Sequence, residues 1–265
     1  MTALLQPMLA VLCGGLVGFT LGLIGGGGSI MATPLLLYVV GLPPHVAIGT
    51  GALAVSANSF VNFAGHARAG NVRWRSAILF ALIGVAGAAI GSSLGKSFDG
   101  QRLLFLFAVL MVVVGISMLR RGARPAPSGP LPAERLTGPA VAKISVAALG
   151  VGMLSGFFGI GGGFLIVPGL LFSTGMPMLF AVGSSLLAVG SFGLTTAVNY
   201  AASGLVAWPV AGEYIAGGIV GGILGMRLCH HLAPRRAALN QVFAGFVFVV
   251  AAYMLYRNLG ALASL

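Results

Sequence analysis

Two clusters of glycine are the feature of the sequence best suited to binding a ligand. They lie within residues 25–28 and 159–163, each inside an apolar stretch and each followed by a proline, Pro34 or Pro168. Glycine is the poorest helix former after proline, so several glycines in close succession should interrupt a membrane helix. A helix that restarts after such a break presents free backbone N–H groups, which bind anions without a charged side chain.

We therefore predict that the backbone at these clusters binds a small anion. The alternative is close helix packing, because small residues let membrane helices approach one another. Packing explains consecutive glycines less well, since they point around the whole circumference of a helix. The predicted anion-binding glycines are Gly25, Gly26, Gly27, Gly28, Gly159, Gly161, Gly162 and Gly163.

Hydroxyl and amide side chains follow each cluster in the next apolar stretch. Thr50, Asn58 and Asn62 belong to the first half of the chain, and Ser184 and Ser185 to the second. Asn58 and Asn62 are four residues apart, so they share one face of the predicted helix. Such donors suit an oxyanion, and we predict that these five side chains line the substrate site. Hydrogen bonding between helices is the alternative.

Glu213 is the one acidic residue inside a predicted membrane span. Acidic side chains within a membrane are functional candidates and often carry protons, which makes Glu213 a candidate for proton coupling. It follows Trp208 by only five residues, so the alternative is an acid at the membrane interface.

Other kinds of chemistry find little support in the sequence. Neither glycine cluster has the preceding strand and following acid of a dinucleotide-binding loop. Cys13 and Cys229 give no metal signature, and no nucleophile–base pair is present, so we predict no cofactor, no metal and no enzymatic activity. No basic face with interleaved aromatic residues indicates nucleic acid.

The composition is that of a membrane protein. Hydrophobic residues make up 58% of the 265 residues and charged residues only 6%, against about 25% charged in soluble domains. The net charge of +11 arises from Lys and Arg between apolar stretches, where the positive-inside rule expects them. We predict an all-α polytopic protein embedded in the lipid bilayer.

The two halves of the chain are copies of each other. They align without gaps at an offset of 134 residues, which pairs Gly22 with Gly156, Trp74 with Trp208 and Gly91 with Gly225. Such duplication is typical of secondary transporters. We predict a first repeat over residues 1–121, a Pro/Arg-rich linker over 122–138 and a second repeat over 139–265.

The path of the chain through each glycine cluster decides the relative orientation of the repeats. A single broken span gives four crossings per repeat and parallel repeats, with nine basic residues on one side and five on the other. A re-entrant hairpin with arms Leu9–Ile24 and Ile30–Val40 gives three crossings per repeat and inverted repeats. Eleven basic residues then lie on one side of the membrane and three on the other. The positive-inside rule favours the hairpin, with the glycines meeting near the centre of the bilayer, the linker in the cytoplasm and both termini outside.

The duplicated glycine clusters, their prolines and the segments Ala47–Thr50 and Ala181–Ser185 resemble the sulfite exporter TauE/SafE family over essentially the whole chain. The resemblance implies export of sulfur-containing anions such as sulfite or organosulfonates across the cell's inner membrane. The leading hypothesis is thus a secondary transporter of a small anion. The alternatives are a scaffold that transports nothing and a permease for another small solute.

Overall fold

The computed structural model describes residues 2–120, 138–159, 163–231 and 236–258. Every regular element in these ranges is helical, and none is a strand. A 3₁₀ segment, Gly25–Met31, follows the first of ten α-helices. These are α1 (Thr2–Ile24), α2 (Ala32–Tyr38), α3 (Pro44–Arg68), α4 (Trp74–Ser97), α5 (Gly100–Arg120), α6 (Gly138–Phe158), α7 (Gly163–Thr174), α8 (Met178–Ala201), α9 (Trp208–His231) and α10 (Arg236–Asn258).

Six of the helices are long and apolar enough to cross a membrane. They are α1, α3 and α4 from the first repeat and their counterparts α6, α8 and α9 from the second. This confirms the prediction of an all-α membrane fold. Nearly all of the predicted linker, together with Gly161 and Gly162, lies outside the described residues.

The centre of the bundle is a crossing between α3 and α8. The Ser56 hydroxyl donates a 2.7 Å hydrogen bond to the Gly190 carbonyl, and these two residues are separated by the repeat offset of 134. A contact between equivalent positions lies on the symmetry axis that relates the two copies. Ser56 and Gly190 therefore mark that axis.

Contacts away from the axis occur in equivalent pairs. The Ala207 N–H donates to Thr50 Oγ1 at 3.0 Å, and the Arg73 N–H donates to Ser184 Oγ at 2.9 Å. Adding the offset to Thr50 and Arg73 gives Ser184 and Ala207. The start of α3 thus meets the segment after α8, and the start of α8 meets the segment after α3, so these two equivalent helices run in opposite directions.

The first helix of each repeat packs on the third long helix of the other repeat, so α1 packs on α9 and α6 on α4. Along α1 and α9, Gly14, Gly18 and Gly22 face the backbone of Tyr214, Gly218 and Gly222 in turn, so the two helices run parallel. Gly152 on α6 faces Gly84 on α4 in the equivalent contact. Glycine permits this approach of one backbone to another, because a Cβ atom would meet a main-chain carbonyl.

The chain turns back at the first glycine cluster. Gly28 lies against Thr20 and Leu21 of α1, and the Gln6 side chain donates to the Val40 carbonyl at 3.4 Å. The start of α1 and the end of α2 therefore lie at the same end of the bundle, as in a hairpin. The first arm is longer than predicted: α1 begins at Thr2 and has 23 residues, about 35 Å of helix.

We expect Gly18→Leu to destabilise the protein much more than Gly150→Leu. The added side chain at Gly18 meets the Gly218 backbone, whereas nothing lies within 4 Å of a Cβ at Gly150. Overpacking of this kind costs about 1–3 kcal/mol, so thermal denaturation in detergent should show a lower midpoint for Gly18→Leu. Equal midpoints for the two variants would contradict the packing described here.

Single cysteines should report the hairpin directly. In a background with Cys13 and Cys229 replaced by alanine, cysteines at Thr2 and Val39 should react with an impermeant thiol reagent from the same side of the membrane. A cysteine at Ala69, at the far end of α3, should react from the opposite side. Labelling of Thr2→Cys and Val39→Cys from opposite sides would show a single broken span instead.

A candidate solute-binding site in the centre of the bundle

The described glycines of the two clusters lie in the 3₁₀ segment before α2, after the end of α6 and at the start of α7. Residues 25–28 begin the 3₁₀ segment, and Gly159 ends α6 with a φ of +66°. Its N–H donates to the Gly156 carbonyl at 3.2 Å. Only glycine adopts this left-handed conformation readily, and a Cβ at Gly159 would also meet Ile48 of α3. Gly163 is buried at the start of α7.

That the glycines of the two clusters meet near the centre of the bilayer stays a prediction. Gly159 contacts Ile48, which lies eight residues before Ser56, about 12 Å along α3. Gly28 lies against Thr20 near the end of the long helix α1. The 3₁₀ segment as a whole returns inward to contact α7 and α8.

Three of the predicted hydroxyl groups make structural hydrogen bonds. Thr50 and Ser184 accept from the backbone just before α9 and α4, as described above. Ser185 Oγ donates to the Val182 carbonyl one turn earlier at 2.8 Å. All three side chains are fully buried. The bonds of Thr50 and Ser184 join the two repeats, as the alternative of hydrogen bonding between helices expects, whereas the bond of Ser185 stays within α8.

The two asparagines are brought together in the interface between α3 and α9. Asn58 and Asn62 are at most 1% exposed, and they lie against Gly218 and Gly222, which have no side chain in the way. Asn62 Nδ2 donates to the Asn58 carbonyl at 2.8 Å. Within the described part of the chain, both polar atoms of the Asn58 amide and the Asn62 Oδ1 atom have no hydrogen-bond partner.

Sequence reasoning missed several other buried polar groups in the bundle. The hydroxyl groups of Thr33, Ser59, Thr196 and Tyr214 are buried and lack a hydrogen-bond partner among the residues that the structure describes. Leaving a buried polar group unsatisfied costs about 1–3 kcal/mol, so such groups commonly serve a ligand or water. Comparison of the repeats could have singled out Tyr214, because its equivalent at the offset of 134 is Phe80.

Glu213 neighbours this group of residues on α9. Its side chain is half-buried, between the exposed Gly212 and the fully buried Tyr214. It precedes Gly218, which contacts Asn58, by five residues, about 7 Å along the helix. Glu213 is thus a partly exposed acid about one and a half turns before the contact of α9 with Asn58.

Two apolar grooves lie on the outside of the bundle. One lies between α4 and α6 and is lined by residues such as Leu94, Phe98 and Val146. The other lies between α2 and α10, beside Tyr38 and Tyr253. Neither borders the buried asparagines, and apolar linings suit lipid. Among the described residues, no group of His, Cys, Asp and Glu side chains could hold a metal ion.

Comparison with known proteins agrees with this architecture. The family model described as "Sulfite exporter TauE/SafE" matches residues 10–254. A "Probable membrane transporter protein" of Xylella fastidiosa strain Temecula1 is 54% identical over 95% of each chain. The "Probable membrane transporter protein YunE" of Bacillus subtilis is 31% identical over 80% of this chain and 84% of its own. No solved structure matches the chain. The resemblance seen in the sequence is confirmed, and the chain belongs to the sulfite exporter TauE/SafE family of membrane transporters.

Proposed function

We propose that this protein is a secondary transporter that exports a small sulfur-containing anion, such as sulfite or an organosulfonate, across the inner membrane. The observation that carries the proposal is the match to the sulfite exporter family over residues 10–254. The names of the relatives specify transport and no solute. The chemistry of the buried side chains supports an anion independently.

The buried polar side chains supply hydrogen-bond donors rather than negative charge. Those in the described residues are serine, threonine, asparagine and histidine, together with the buried tyrosines, and no Asp or Glu side chain is buried among them. A cation in this interior would lack a carboxylate partner, whereas an oxyanion finds N–H and O–H donors. The backbone at Gly25, Gly26, Gly27, Gly28 and at Gly159, Gly161, Gly162, Gly163 would add further N–H donors on the path of the anion.

We infer that the repeats are inverted in the membrane, with both termini outside and the linker in the cytoplasm. Support comes from the opposite directions of α3 and α8 and from the contact between Gln6 and Val40. Charge supports the same orientation. The end of the bundle where α3 finishes carries Arg68, Arg73, Arg75, Lys143 and Arg227, and the opposite end carries Lys96, Arg102 and Arg257.

Alternating access would then consist of rocking the two repeats about the α3–α8 crossing. Because this crossing lies on the axis, the contact between Ser56 and Gly190 would change least when the two repeats move relative to each other. In secondary transporters built from inverted repeats, the substrate site lies near the interface of the repeats. Asn58 and Asn62 occupy such a position.

Transport by the purified protein tests the proposal. Proteoliposomes preloaded with sulfite should take up labelled sulfite by saturable counterflow, and an alkanesulfonate or thiosulfate should compete. Liposomes without protein provide the background. Uptake no greater than this background for every sulfur anion would refute the proposal. Saturable flux of an unrelated solute alone would support the permease alternative.

Proton coupling through Glu213 has its own test. Glu213→Gln should retain sulfite counterflow but lose the stimulation of flux by an imposed pH gradient, because the glutamine cannot carry a proton. Asp99→Asn is the matched control, since Asp99 is exposed and only accepts hydrogen bonds from the N–H groups of Gln101 and Arg102. Equal stimulation in wild type and Glu213→Gln would exclude Glu213 as the proton carrier.

A further inference from the structure

Tyr214 on α9 and Asn58 on α3 are two buried polar residues where these helices pack together. Gly218, which follows Tyr214 by one turn of α9, lies directly against the Asn58 amide. Both side chains have 0% exposure. The Tyr214 hydroxyl and both polar atoms of the Asn58 amide have no hydrogen-bond partner in the described part of the molecule.

The duplication supplies an internal comparison for this pair. The residues equivalent to Tyr214 and Asn58 at the offset of 134 are Phe80 and Phe192. Their rings stack with centroids 6.2 Å apart. Phe192 lies against Gly84 as Asn58 lies against the equivalent Gly218. Two apolar rings therefore fill this position in one half of the bundle, so packing alone does not require a hydroxyl and an amide in the other half.

The polar pair is costly unless a ligand satisfies it. An unsatisfied buried donor or acceptor destabilises the fold, and these two residues present three such atoms among the described residues. Asn58 Nδ2 offers two N–H donors and Tyr214 offers one O–H donor. N–H and O–H donors of this kind suit the oxygen atoms of a small oxyanion.

We propose that Tyr214 and Asn58 form the subsite that binds the oxygen atoms of the transported anion. The subsite lies between α3 and α9 on one side of the central axis, while the equivalent Phe80–Phe192 pair is an apolar wall on the other side. Two copies of one repeat thus yield a single, one-sided site. This inference rests on the proposed function and adds Tyr214 as a binding residue.

Tyr214→Phe removes only the hydroxyl group and leaves the ring in place. We expect the Kd for sodium sulfite, measured by calorimetry on the purified protein in detergent, to rise about tenfold or more, because the bound anion loses a hydrogen bond. The KM of sulfite counterflow should rise with it. The denaturation midpoint without sulfite should not fall, since the hydroxyl has no partner to lose in the described structure.

Tyr200→Phe is the matched control. Tyr200 is also fully buried with a hydroxyl that lacks a described partner, but it lies ten residues beyond Gly190, about 15 Å along α8. Its Kd for sulfite should stay within about twofold of wild type.

Three outcomes would overturn the inference. An unchanged Kd in Tyr214→Phe would overturn the assignment of this subsite, but the proposed function as a sulfite transporter would still stand. A lower denaturation midpoint in Tyr214→Phe without sulfite would also overturn the assignment, because the hydroxyl would then be a structural group. If the wild type neither binds nor transports sulfite, the alkanesulfonate or thiosulfate, the proposed function fails and this inference fails with it.

Discussion

The crossing of α3 and α8 at Ser56 and Gly190 is the contact on which the arrangement of the bundle depends. Because the two residues are equivalent positions of a duplicated chain, contacts between the repeats away from this crossing can occur in equivalent pairs. The backbone hydrogen bonds to Thr50 and Ser184 are one such pair, and the contacts of Gly18 with Gly218 and of Gly152 with Gly84 are another. A serine opposite a glycine lets the helices approach closely and still satisfies the hydroxyl.

Glycine performs two separate tasks in this fold. Along α1, α4, α6 and α9 it removes the Cβ atoms that would hold helices from different repeats apart. This packing matters in a membrane, where lipid supplies no hydrophobic driving force between helices. At the duplicated clusters it ends a helix and lets the chain turn back, as the left-handed conformation of Gly159 shows. Glycine thus serves both the close packing of the helices and the ends of helices at the clusters.

Three departures from the symmetry lie near the proposed substrate path. The backbone contacts of the two halves correspond, but Tyr214 replaces Phe80, Asn58 replaces Phe192 and Glu213 replaces Leu79. A duplicated scaffold begins with two identical interfaces, and binding a small anion requires donors in only one of them. The apolar interface retains the packing, while the polar one bears the energetic cost of buried donors that a substrate offsets.

The sequence by itself determined the membrane class, the duplication and the family. Composition and the constant offset of 134 are properties of residue order, so they can be read without coordinates. The spacing of Asn58 and Asn62 predicted that they share one face of a helix, and in the structure both lie on the face of α3 that packs on α9.

Only the tertiary structure showed which contacts the other predicted site residues make. Thr50 and Ser184 have partners more than a hundred residues away in sequence, and the position of each glycine cluster depends on where α1 and α6 begin and on the helices they meet. Whether a buried hydroxyl has a hydrogen-bond partner depends on which distant helix packs against it. That partner is fixed only by the packing of the two repeats against each other.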